Sequence, residues 1–469
     1  MVIGDHHGAL FARTRSAFDQ ERVYQRARKM AISSIVAMGK RTVSGMLCAS
    51  ADQFRDWSAA YRIFSGERVD RDALFAPARD AVIERLMDDQ PLTVVMDDTI
   101  VRKRGRKVYG AGWKRDPLGP HFCDNFVWAQ RFLQMSAALP DAECPGRARG
   151  IPIDLVHAPS AAKPRKRDGE EAWRKYRLAQ NARRVTTVAK ASLFRLRQEV
   201  PARKIICSVD GGFTNQTFFR DVPENTVLIG RIRKDAKLYP PPEESMVSRR
   251  GRKRFYGEAL PTPEEVRKDD SVPWQTVKGY ASGTHHDFAV KHIPAVRWKG
   301  SGDKTVQVAI VRPLAYRPRK GSPLLYRNPV YLLCTDPGLS LEELLRSYLW
   351  RWEIELNFRD EKTVMGVGQA QVRTAESVEC VPALIVAAYA YMLLAGEAAA
   401  AKALPRPKWQ MQRSGERTST QMMQNLFRAQ LWDIAIDANK THFVNKLGPT
   451  RTHFYSTNYL HNAVCYAYK

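Results

Sequence analysis

The residues best placed to do chemistry in this sequence are three separated acids and a polar stripe. The apolar run PLTVVM leads into Asp97-Asp98-Thr99, and ARKIICSVD leads into Asp210, with Gly211 and Gly212 behind it. The third acid lies in residues 340–362, SLEELLRSYLWRWEIELNFRDEK, where Glu355 has Glu353 and Asp360 as rivals. Carboxylates from separate elements whose ends meet can hold a pair of hard divalent cations about 4 Å apart. Such a pair activates a water and stabilises both the attacking and the leaving oxygen of a phosphodiester. Asp97 and Asp98 are strand neighbours and point to opposite faces, so one of them should line such a site.

The elements that must position these acids follow from patterning. Ser340 with Glu343 reads as a capping box, and no proline or glycine interrupts the next residues, so 340–362 is predicted as one helix of about six turns. At about 100° per residue, Tyr348, Arg351, Glu355 and Lys362 fall within an arc of about 60°. Leu349, Trp350, Ile354, Leu356 and Phe358 occupy much of the remaining circumference and pack it on a domain. PLTVVM and IICSV, apolar without alternation, read as central strands buried on both faces.

The spacing Tyr-x2-Arg-x3-Glu-x6-Lys, from Tyr348 to Lys362, resembles the signature of bacterial insertion-sequence transposases of the DDE type, the family four group. Lys362-Thr363, Gly366 and Gly368 resemble that family's continuation. The resemblance implies Asp97, Asp210 and Glu355 as catalytic metal ligands, Asp97 being selected over Asp98 by the family's Asp-x-Thr pattern. It implies two Mg2+ ions, for which Mn2+ substitutes, and a substrate of double-stranded DNA comprising element ends and target. A homodimer on DNA, a hairpin intermediate and a base swung out onto an aromatic clamp are also implied. Trp274, Trp298, Trp350 and Trp352 are candidates for the clamp. Arg351, Lys362 and Tyr348 would hold phosphates beside the scissile one.

Composition agrees with a polyanionic partner. Lys+Arg total 75 against 49 Asp+Glu, a formal charge of +26, while 44% hydrophobic residues mark a folding chain. The basic runs at 101–107, with Arg104, Arg106 and Lys107, and at 163–167 and 249–254 would track a DNA backbone. Seven scattered cysteines with no CxxC suggest neither a disulfide framework nor a zinc ribbon, and fit a reducing bacterial cytoplasm. His285-His286 has no further ligand at a zinc spacing. No secretory signal is visible, and the apolar run 381–401 contains Pro382 and Glu397 and reads as a buried helix, not a membrane span.

Five regions result. Residues 1–88 read as a helical DNA-binding domain, with a docking or dimerisation bundle as the alternative. The stretch 89–215 runs strand, strand, strand, helix, strand, the order of a ribonuclease-H-like core. A β-rich insertion follows over 216–338, then the second part of the core at 339–404 and a helical, aromatic tail at 405–469. The fold class expected is α/β, a mixed sheet flanked by helices. The expected function is a DDE transposase that cuts element ends and joins them to target DNA. Its rivals are a nuclease of the same fold without strand transfer and an inactive, domesticated DNA-binding regulator.

Overall fold

The computed structural model describes residues 3–116, 119–120, 122–241, 256–319, 321–399 and 417–444. The chain opens with helices α1 (Ile3–Ala12), α2 (Glu21–Val36), α3 (Val43–Ala49), α4 (Trp57–Phe64) and α5 (Arg71–Ile83). Thr42, Asp56 and Asp70 cap α3, α4 and α5 by accepting backbone N–H bonds that would otherwise lack a partner. Next come β1 (Leu92–Arg102), β2 (Gly112–Arg115), β3 (Phe126–Pro140), β4 (Ala148–His157), α6 (Glu170–Ala182), α7 (Val185–Glu199), β5 (Ile205–Val209) and α8 (Gln216–Phe219). The region from 226 supplies β6 (Thr226–Arg231), β7 (Leu238–Tyr239), α9 (Pro263–Lys268), β8 (Gln275–Ala281), β9 (Thr284–Trp298), β10 (Thr305–Val311), β11 (Ala315–Tyr316), β12 (Leu325–Tyr326) and β13 (Val330–Cys334). Helices α10 (Leu341–Leu349), α11 (Trp352–Thr363), α12 (Ala375–Ala398) and α13 (Thr420–Val444) complete the described chain.

Among the described residues, eleven strands form one mixed sheet in the order β2-β3-β1-β5-β6-β13-β10-β9-β7, with β4 also on β3 and β8 on β9. β1, β5 and β6 run parallel at its centre, and β3 pairs antiparallel with β1. This is the mixed α/β, ribonuclease-H-like sheet expected. The strands of 216–338 join that sheet, β6 directly beside β5 and β13 beside β6, except β11 and β12, which pair with each other as a separate ribbon.

Helices cover both faces. On one, Val95 of β1 packs with Ile354 and Phe358 of α11, burial worth roughly 1.5–3 kcal/mol per large side chain. On the other, Val94 and Met96 join a core shared with α2, α5, α7 and α12. α12 is long and apolar enough to cross a membrane by composition alone, but it is buried within this core and so is not a membrane span. The same core takes in Ile3 and Phe11 of α1 and Met30 of α2, so the N-terminal helices pack on α12.

Four expectations of local structure are corrected. Residues 340–362 form two helices, not one. Arg351 and Glu353 donate to the carbonyls three residues back, Tyr348 and Trp350, and this tightened turn separates α10 from α11. Ser340 caps α10 through the Glu343 N–H, but no return bond from the Glu343 side chain completes a box. β1 does not stop at Asp97; it continues to Arg102 because 97–102 pair with β3 after β5 has ended. The one helix expected before the strand IICSV is likewise two, α6 and α7, parted at Arg184, whose backbone is extended.

Candidate active site

The β1/β5 ladder fixes the first two acids. Its last register pair is Met96 with Val209, so Asp97 and Asp210 are the next residues on adjacent parallel strands, on the same side of the sheet. The Asp210 carboxylate is turned back by N–H bonds from Gly212 (2.8 Å) and Phe213 (3.3 Å). A Cβ on Gly212 would lie 3.1 Å from the Asp210 Oδ1, which explains a small residue there.

The third acid comes from α11, whose rotation is set by polar bonds as well as by Ile354 and Phe358. Ser136 donates to the Asn357 side chain (2.9 Å), Asn357 donates to the Gly150 carbonyl (3.0 Å), and Gln134 donates to the Glu361 carboxyl (2.8 Å). The close approach needs Gly150, where a Cβ would stand 2.8 Å from the Asn357 oxygen. These contacts lie on the β3–β4 flank of α11 and leave Arg351, Glu355 and Lys362 facing β1. Arg351 then joins two of the acids, bonding Asp97 at 3.4 Å and Glu355 at 3.1 Å. Its guanidinium also lies 5.8 Å from the Tyr348 ring centre. The Lys362 ammonium donates to the Thr99 hydroxyl at 2.6 Å.

Thus Asp97, Asp210, Glu355, Tyr348, Arg351 and Lys362 are brought to one region. Asp98 points to the other face, where Arg131 meets it at 3.2 Å. Glu353 and Asp360 are likewise turned away from Asp97: Glu353 bonds Arg417 (2.8 Å), and Asp360 bonds Thr420 (2.6 Å). Arg104, Arg106 and Lys107 are exposed on the loop after β1, and the 163–167 run is exposed in its basic residues. The 249–254 run lies outside the described residues, as do the tail aromatics Phe454, Tyr455, Tyr459, Tyr466 and Tyr468.

Of the candidate aromatic clamps, Trp350 is buried with its Nε1 donating to Gly146, and Trp274 is flanked by Lys291 and Arg312. Trp352 is exposed. Trp298 lines a cleft of about 1130 Å³ that opens beside Asp210 and also includes Arg231, Arg233, Lys234 and Arg267. Sequence reasoning did not find Arg231 or Lys234. Their signal, a basic cluster directly after the apolar strand TVLIGR, was available.

Electrostatics mark Asp97. Burial, then the neighbouring Asp210 charge, push its carboxyl up to about 7, against the pull of the Asp98 N–H and of Arg351. Asp98 is also raised, by burial first, with Arg131 opposing. Crowded carboxylates of this kind call for positive charge, and an all-oxygen donor set suits a hard divalent cation. Arg351 supplies positive charge between Asp97 and Glu355. As they stand, no three His, Cys, Asp or Glu among the described residues close on one centre. The acids fit a divalent ion by type and by placement on convergent elements, and Arg351 lies where two of them meet.

With this geometry established, the comparison with known families decides the class. A family model described as DDE superfamily endonuclease matches residues 20–304, more than half of the chain. The chain belongs to the DDE superfamily endonucleases. Metal-dependent DNA cleavage by a transposase-like protein, with divalent ions as cofactor, is therefore its class of activity. The match contains Asp97 and Asp210 and ends before α11, the helix that carries Glu355. No curated protein matches the chain.

Proposed function

We propose that this DDE endonuclease is a cut-and-paste transposase of an insertion element, with Asp97, Asp210 and Glu355 as metal ligands. The observation that carries the reading is pairwise: Asp97 and Asp210 follow one ladder pair on adjacent strands, and Glu355 shares Arg351 with Asp97. Two Mg2+ ions bound there would supply an activated water or 3′-hydroxyl and charge for the leaving oxygen. The chain's own residues supply orientation. Arg351 presents a fork that fits a phosphate bidentately, and Lys362, anchored on Thr99, presents a point charge one helical face along. Tyr348 packs beside Arg351 and limits its swing.

The cleft beside Asp210 supports a strand entering past Arg231 and Lys234, with Trp298 on its wall. The exposed basic loop at Arg104, Arg106 and Lys107 supports duplex contact beyond the site, and a homodimer on paired ends would place two such surfaces. The test is incubation with Mg2+ and linear DNA bearing the element's own ends. Cut ends together with new covalent joints to target DNA are expected. Cuts without joints would leave a nuclease, and binding without cuts would leave a DNA-binding regulator.

A further inference from the structure

Beyond the carboxylates, the α11 face of the sheet continues along β3 to a strip of exposed rings. Asp97 faces Gln134, and six positions further along β3 the same face presents Trp128, about 20 Å away at ~3.3 Å per residue. Trp128 pairs with Trp113 of β2, their rings edge to face at 5.7 Å, and the next pair on that face is Phe126 with Arg115. Trp113 is 63% exposed and Phe126 58% exposed, far from the norm for such large apolar side chains.

Positive charge lies on the same face. The loop after β1 is tied over it by two bonds, from Trp128 Nε1 to the Gly105 carbonyl (3.1 Å) and from Gln130 Nε2 to the Tyr109 carbonyl (2.8 Å). That loop exposes Arg104, Arg106 and Lys107 beside the rings. Exposed rings alternating with cations suit an unpaired polynucleotide, whose bases offer free π-faces for stacking while its phosphates meet the basic side chains. Paired bases in a duplex are already stacked on one another and gain little from such rings.

We infer that the β2–β3 arm is a single-strand binding site, on which Trp113 and Phe126 stack unpaired DNA bases while Arg104, Arg106, Lys107 and Arg115 hold the phosphates. The inference rests on the proposed function for the kind of polymer delivered, and extends it to a strand held about 20 Å from the acids.

The test uses the full chain without divalent ions, a labelled 20-nucleotide dT strand and a 20-base-pair duplex, with affinities measured by fluorescence anisotropy at several salt concentrations. The double variant Trp113→Ala, Phe126→Ala is expected to bind the dT strand ~10-fold or more weakly with an unchanged salt slope, and the duplex within about 2-fold of wild type. Arg104→Gln with Arg106→Gln is expected instead to flatten the salt slope for the dT strand. Unchanged single-strand affinity in the double variant, an equal loss for strand and duplex, or a change in oligomeric state alone would overturn the site. Wild-type protein that binds the strand through these rings yet cuts no element end would sink the transposase reading while leaving the arm in place.

Discussion

Asp97 and Asp98 leave one strand toward opposite faces of one sheet, and what each meets there differs. Asp97 meets Asp210 and the Arg351–Glu355 pair, a setting crowded with like charge that raises its carboxyl to about 7. Asp98 meets Arg131, a partner of opposite sign at 3.2 Å. Burial raises both, so burial alone does not separate a reactive acid from a structural one. The neighbours do. Both acids feel Asp210 and both have an arginine, but for Asp97 the like charge outweighs an arginine shared with Glu355, whereas for Asp98 the opposing Arg131 outweighs Asp210. The Asp97 side is therefore the one left with charge for something bound to balance.

The largest effect should come from breaking that comparison directly. Asp97→Asn is expected to lower Mg2+-dependent end cleavage ~10³-fold or more, since several kcal/mol of transition-state charge stabilisation are at stake. Asp98→Asn should cost less than about 10-fold, its loss being one charge pair with Arg131. Single-turnover cleavage of both variants decides it, with circular dichroism as the check on folding. Equal loss in the two would mean that the face of the sheet does not sort the acids.

Arg351 sharpens the contrast, because it gives the Asp97 face its internal positive charge. Arg351→Gln should lower cleavage by ~10²-fold through loss of a phosphate fork. The same change should tighten Mn2+ binding by about 3-fold or more, since two carboxylates lose a competing cation. Titration calorimetry with Mn2+ reads the second effect, and weaker binding would show that Arg351 holds the acids in place for the ion. A smaller effect is expected from Lys362→Ala, about 10-fold in end affinity, with a fall of about one in the salt slope.

How much of this was legible beforehand depended on whether it was local. PLTVVM and IICSV are apolar without alternation, so their burial at the sheet centre and the acids that follow them could be read from residue types. The turn between α10 and α11 could not, because neither glycine nor proline marks it; it is a change of hydrogen-bond pattern at Arg351 and Glu353 within good helix-forming sequence. Tyr348 and Arg351 nonetheless share one face across the break, since one tightened turn shifts the phase by only tens of degrees. The extension of β1 past Asp97 depends on β3, over 20 residues away in sequence. The packing of α1 and α2 on α12 depends on residues more than 300 positions apart. Pairings of that range leave no trace in local periodicity.

The smallest expected effect compares one largely buried acid on each face. Asp154, on the α12 face, is bonded by Arg195 at 2.5 Å and is raised by burial only to about 6. Glu361, on the α11 face, has a neutral partner, Gln134, and burial pushes it up to about 8, with Lys362 opposing. A folded-state value raised above the ordinary one means that the carboxyl's stabilising contribution is complete below about 4.5 and is lost as pH rises toward 8. Glu361→Gln keeps an acceptor for Gln134 and cannot ionise, so its unfolding temperature relative to wild type should climb by ~2–5 °C between pH 5 and pH 8. For Asp154→Asn the climb should be smaller and end near pH 6, and the weakened bond to Arg195, which keeps Asp72 at 3.2 Å, should leave the variant slightly below wild type throughout. Parallel pH profiles for the two variants would show that the faces do not differ in how they tolerate buried charge, and that the crowding around Asp97 is particular to the strand ends.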